Sequence, residues 1–177
     1  MPKYKLHYFA INGRAVIPRA ILSYAKADWE NSLIQKVDWP KIKKSGLCEY
    51  EQLPILEIGD KKYSQSTAIN IYLGKTFKLM GKDIEENYQI TNLLMTFPDF
   101  IGPMYAWIFC QDEEKKPELH KAAVDKLNFF IGKFEKKYVD LGKGKYYLGD
   151  KFTLADIFLA TVVPSAIDGL HLKENPC

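Results

Sequence analysis

The sequence predicts an α/β N-terminal domain followed by an all-α C-terminal domain. Three observations predict it. Through residue 78, short alternating apolar segments interleave with helical runs. From residue 83 onward, apolar residues recur at helical spacing and strand signals stop. A short stretch separates the two regimes, which divides the chain into residues 1–78, a linker at 79–82, and residues 83–177.

The first strand is expected over residues 4–9. Tyr4, Leu6 and Tyr8 fall on one face, and Lys3, Lys5 and His7 on the other. Asn12-Gly13 is a turn signal. Residues 14–26 read as a helix through Val16, Ile17, Ala20, Ile21, Tyr24 and Ala25. Pro18 is tolerated only in a first turn, so this helix is expected to begin near Ile17. Residues 29–37 give a second strand, and residues 39–51, with Pro40 and Gly46, a loop. Residues 55–58 and 61–63 form a hairpin about Gly59-Asp60, whose leading glycine suits a type II′ turn.

Ser64-Gln65-Ser66 then opens an amphipathic helix carrying Ala68, Ile69, Ile71, Tyr72 and Leu73. A serine at a helix start caps free N–H groups, and the same groups attract an anion. This βαβ-then-ββα order is the thioredoxin-like arrangement. A redox member of that fold carries CxxC after the first strand. Tyr8-Phe9-Ala10-Ile11 stands there instead, which excludes thiol–disulfide exchange.

Residues 85–110 form one long apolar-periodic segment. Pro98 and Gly102-Pro103 are expected to kink or split it. A charged loop follows, and Pro117 starts a helix running to about Leu141, with Leu119, Ala122, Ala123, Leu127, Phe130, Ile131 and Phe134 inward. Thr153 with Asp156 three residues on has the form of a capping box at the head of a buried helix. The closing GLHLKENPC reads as loop.

A chain of 177 residues buries about two-thirds of its unfolded surface. No apolar run reaches the roughly 18 residues of a membrane span, and the N-terminus lacks the apolar core of a signal peptide. Cys48, Cys110 and Cys177 are odd in number and share no CxxC spacing. That argues against a disulfide framework and zinc, and suits a cytoplasmic protein. Residues 1–80 hold 13 Lys/Arg against 7 Asp/Glu, and residues 81–177 hold 12 against 15. A basic first half suits a small anionic ligand, whereas the absence of an arginine-rich stripe argues against nucleic acid. His7, His120 and His171 are scattered without an obvious partner, so each is expected to be structural or exposed.

Gln52-Leu53-Pro54 followed by Gln65-Ser66, the opening PKYKLHYF, and Trp39-Pro40-x-x-Lys43 occur in one order along the chain. Together they resemble the sigma class of cytosolic glutathione S-transferases, which includes glutathione-dependent prostaglandin D synthase. The resemblance implies glutathione as co-substrate, a small hydrophobic electrophile, and a homodimer. It implies that Tyr8 is the catalytic tyrosine that donates to the glutathione sulfur, and that Arg14 polarises the Tyr8 hydroxyl. Trp39 and Lys43 are implied at the glycyl end, and Gln52, Leu53 and Pro54, with Pro54 in cis, along the cysteinyl backbone. Gln65 and Ser66 are implied at the γ-glutamyl end. Asp99 matches an acid that reaches glutathione bound in the neighbouring subunit. Phe9, Ile101, Tyr105 and Trp107 are the expected lining for the electrophile. Prostaglandin synthases of the class place extra acids beside Asp99 for a divalent metal. Met95 and Pro98 stand there, so no metal is expected.

The chain also departs from the resemblance. Val16 replaces an acidic residue, Pro18 enters the first helix, Glu51 replaces a glycine, and the C-terminus looks shortened by a helix. These departures support two alternatives: a catalytically impaired binding or structural protein of crystallin type, and a glutathione-dependent prostaglandin isomerase. The shortening leads to an expectation of lower stability and a more open substrate pocket.

Overall fold

Strand β1 (Tyr4–Phe9) is the centre from which the first half is built. A computed structural model describes residues 4–172 and divides the chain into two compact units, Met1–Met80 and Gly81–Cys177. In the first unit, β1 is followed by a 3-10 turn (Gly13–Ala15) and α1 (Val16–Tyr24). Then come β2 (Trp29–Ile34), α2 (Trp39–Lys43), β3 (Ile55–Ile58), β4 (Lys61–Tyr63) and α3 (Ser66–Thr76). The sheet order is β2-β1-β3-β4. β2 runs parallel to β1, as a helical crossover requires, while β3 and β4 are antiparallel neighbours. This is the thioredoxin-like α/β arrangement.

Burial follows from this order. Leu6 on β1, Ile55 and Leu56 on β3, Ile17, Ile21 and Leu22 on α1, and Ile69 and Leu73 on α3 are all fully buried. Pro18 is the third residue of α1. The first helical N–H groups have no partner within the helix, so its missing donor costs no bond. Gly59 has φ 57° and the following Asp60 does not share a positive φ, as a type II′ hairpin requires.

Two local expectations are corrected. Residues 39–51 are not wholly loop: α2 occupies Trp39–Lys43, with Pro40 in its opening turn where a proline is pre-set for helix. Ser66 is not a cap. Gln65 takes the N-cap position, and its side chain makes no cap hydrogen bond.

The second unit contains α4 (Ile84–Met95), α5 (Phe97–Ile108), α6 (Lys116–Asp140) and α7 (Leu154–Gly169). The segment expected to kink or split does split, at Thr96, with Pro98 in the first turn of α5 and Pro103 inside it. Phe158 is fully buried, with Phe97, Phe100 and Phe134 set edge-on to it at 6.1–6.4 Å. Thr153 Oγ1 accepts from Ala155 N at 3.3 Å, and Asp156 Oδ2 accepts back from Thr153 N at 2.7 Å. This completes a capping box, and Asp156 Oδ1 also accepts from Tyr147 N at 2.8 Å. The expected terminal loop falls partly on residues 173–177, outside the described residues. Among the described residues no helix is long and apolar enough to cross a membrane.

Candidate active site

The strand pairing brings most of the expected site residues to one end of the sheet. The β1–β3 ladder ends at His7↔Ile55, which leaves Tyr8 one residue beyond it and Leu53 two residues beyond it on the β3 side. β2 and β4 both run parallel to β1, so the chain leaving each of them emerges at that same end. From β2 it reaches Trp39 and Lys43 in α2; from β4 it enters Ser64, Gln65 and Ser66. Ends of this kind, where strands stop and helices start, are common ligand sites in α/β folds.

Tyr8 is 5% exposed. Its hydroxyl accepts the main-chain N–H of Arg14 at 3.0 Å. The guanidinium of Arg19 lies 5.7 Å from the centre of the Tyr8 ring. That guanidinium is held by Asn31 Oδ1 at 3.1 Å, by Phe9 O at 2.9 Å, and by Ile11 O. Burial pulls the Arg19 pKa below its usual value, and the nearby Tyr8 opposes the shift. Arginine nonetheless stays charged near neutrality. The two arginines thus contact Tyr8 differently. Arg14 reaches Tyr8 through its backbone, and Arg19 supplies the neighbouring cation. Arg19 is missing from the site expected on sequence grounds. Its only signal there was a charged residue within the first turns of an apolar helix.

The Leu53–Pro54 bond is cis, and Pro54 is buried while Gln52 is exposed. Phe9 and Trp39 meet edge to face at 5.7 Å. Lys43 Nζ lies 3.5 Å from Glu51 Oε2. Gln65 has φ 68° and ψ 109°, a backbone region that side-chain-bearing residues adopt only under strain. The first bond of α3 runs from Ile69 N to Gln65 O at 2.9 Å. The N–H groups of Ser66, Thr67 and Ala68 therefore precede any intrahelical partner. Ser64 Oγ is buried without a hydrogen-bond partner beside them. Strain, free donors and an orphaned hydroxyl in consecutive residues suit a bound carboxylate.

Asp99 lies in the second unit, exposed in the first turn of α5, where its charge favours the helix dipole. Ile101 is buried in the core of that unit. Trp107 packs on the His120 ring at 4.7 Å and near His171 at 6.1 Å, and His120 Nε2 is 3.1 Å from Leu170 O. His7 is buried with Nε2 3.3 Å from Glu57 Oε2. The three histidines therefore have packing or pairing partners that spacing alone did not reveal. Cys48 is buried, and burial pushes its thiol pKa up. Among the described residues no three His, Cys, Asp or Glu side chains gather as metal ligands. The helical unit has its own cavity of about 580 Å³, lined by Phe134, Tyr138, Tyr146, Phe152 and Leu159 among others. None of the expected site residues lines it. Tyr147 beside it has its pKa pushed up to about 12 by burial.

Comparison with known proteins now bears on this geometry. Residues 4–75 match the family model of the glutathione S-transferase N-terminal domain, and residues 98–175 that of the C-terminal domain. Probable glutathione S-transferase 7 of Caenorhabditis elegans is 33% identical over 167 residues, which is 90% of this chain and 78% of that protein. The structure of prostaglandin synthase D of Nilaparvata lugens superposes with a TM-score of 0.79 at 32% identity. The match covers 96% of this chain and 87% of that one. The sigma class GST of Fasciola hepatica superposes with a TM-score of 0.77 at 25% identity, covering 98% and 85% of the two chains.

Proposed function

The chain belongs to the glutathione S-transferase family, and from that premise we propose that it conjugates the glutathione thiolate to hydrophobic electrophiles, with Tyr8 activating the thiol. One observation carries the assignment of Tyr8. Its hydroxyl is buried and already accepts an N–H from Arg14, so its own proton is available to donate outward. A hydroxyl that accepts one hydrogen bond donates a stronger one.

The chemistry needs such a donor. A free thiol has a pKa of about 8.5, so only a few per cent is thiolate at neutral pH. A hydrogen bond donated to the charged sulfur favours the thiolate and lowers that pKa. The Arg19 cation beside the ring adds favourable potential for the negative sulfur. In this reading the free N–H groups of α3, with Ser66 and Gln65, take the γ-glutamyl carboxylate. The main chain of Leu53, next to Gln52 and cis Pro54, pairs with the cysteinyl backbone as an added strand does. Trp39 and Lys43 take the glycyl end. Asp99 is assigned to glutathione held by a second copy of the chain, which makes the active form a two-fold dimer. Oriented substrates and a stabilised thiolate are then sufficient for nucleophilic attack, without a metal.

The test is the rate of glutathione conjugation to a chlorodinitrobenzene-type electrophile, measured beside Tyr8→Phe. The variant is expected to lose at least about tenfold in rate, equivalent to one unit of thiol pKa. Equal rates for the two proteins remove Tyr8 from the role. A second reading, isomerisation of a prostaglandin endoperoxide by the same thiolate, is favoured by the similarity to the Nilaparvata lugens structure. Turnover of the endoperoxide without conjugation selects it.

A further inference from the structure

The cation assigned to the glycyl carboxylate already faces a carboxylate of its own chain. Lys43, at the end of α2, stands 3.5 Å from Glu51, which lies two residues before the cis Leu53–Pro54 bond. The two side chains are 43% and 58% exposed, so each is reachable by a ligand and free to rearrange. Glu51 has φ 51°, the left-handed region in which a side chain is disfavoured and glycine is at ease. A residue that is costly in backbone terms thus stands where its carboxylate meets Lys43. The other charges of this segment, Lys41, Lys44 and Glu49, are exposed to solvent.

We propose that Glu51 competes internally for Lys43 and so sets specificity at the glycyl end of the thiol substrate. An incoming glycyl carboxylate must displace Glu51 from the ammonium, or share the ammonium with it against like-charge repulsion. A glycyl end blocked as an amide carries no charge and meets no such competition. Glu51 therefore narrows the advantage of free glutathione over glycyl-blocked thiol peptides. It acts through Lys43 and touches no reacting atom. The inference rests on the placement of the glycyl end proposed above.

The test is calorimetric titration of S-hexylglutathione and its glycyl amide into the native protein, Glu51→Gln, Lys43→Met and the double variant. Glutamine keeps the side-chain size and the backbone requirement, and removes only the charge. Glu51→Gln is expected to tighten the free acid about two- to fivefold, the range of an exposed ion pair. The amide is expected to bind both proteins equally. In the Lys43→Met background the gain is expected to vanish. In turnover, the KM for glutathione falls in Glu51→Gln while kcat holds. Equal effects on acid and amide, or no effect on either, overturn the inference and leave the glutathione site standing. If the native protein binds neither ligand, the glutathione site itself fails and the inference falls with it.

Discussion

The hydroxyl of Tyr8 accepts the main-chain N–H of Arg14 at 3.0 Å, a bond that no substitution of the Arg14 side chain removes. The cation beside the Tyr8 ring belongs to Arg19 instead. Arg14 and Arg19 thus make different contacts with Tyr8, and each can be tested.

Arg14→Ala is expected to keep most of the conjugation activity, within about threefold, because the main-chain N–H donor to Tyr8 remains. Arg19→Ala removes bonds to Asn31, Phe9 and Ile11 together with the charge near Tyr8. It is expected to lower kcat/KM by about tenfold or more and to lose about 1 kcal/mol of stability, because a part-buried bond to Phe9 O and two exposed bonds are removed. Steady-state kinetics and urea unfolding of both variants check the order. A larger activity loss in Arg14→Ala would reverse the assignment.

His7 gives a pH dependence of stability. Its pKa is lowered, chiefly by burial, with Lys5 adding to the lowering and Glu57 and Glu30 opposing it. The unfolded chain therefore binds the His7 proton more readily than the folded one. The stability contribution is complete above the ordinary histidine value of about 6.5 and is lost as the pH falls below it. The difference in unfolding free energy between the native protein and His7→Gln, followed from pH 8 to about 5, is expected to shrink on acidification. A difference that stays constant across the range rejects the buried, neutral His7.

Asp156 anchors the head of α7 and the preceding turn at once. It accepts from Thr153 N and from Tyr147 N. Asp156→Ala leaves both donors without a partner and is expected to cost about 2–4 kcal/mol. Thr153→Ala removes the cap at Ala155 N and the hydroxyl bond to Asp156 Oδ2, leaves both main-chain bonds to Asp156 in place, and is expected to cost about 1 kcal/mol. Urea midpoints for the two variants give the ranking, and a Thr153→Ala loss equal to that of Asp156→Ala contradicts it.

The sequence by itself determined the elements whose signals are local. Alternation of Tyr4, Leu6 and Tyr8 marks β1, Gly59-Asp60 marks the hairpin, and Thr153 with Asp156 marks the head of α7. Each of these rests on backbone preferences within a few residues. The motif order around Gln52-Leu53-Pro54 and Gln65-Ser66 was equally legible and pointed to the family.

Tertiary structure decided what depends on residues far apart in the chain. The parallel pairing of β2 with β1 brings Asn31 beneath Arg19, and that contact holds the guanidinium beside Tyr8. Spacing along a chain does not say which of two arginines turns toward the Tyr8 ring. Ser66 read as a cap because serine prefers that position. The strained backbone of Gln65 moved the cap by one residue and left the donors of α3 free. Glu51 read as a bulky substitute for glycine, and its pairing with Lys43 appeared only once α2 and the segment before β3 met. Local preference selects the elements, whereas the contacts between them select which polar group faces which.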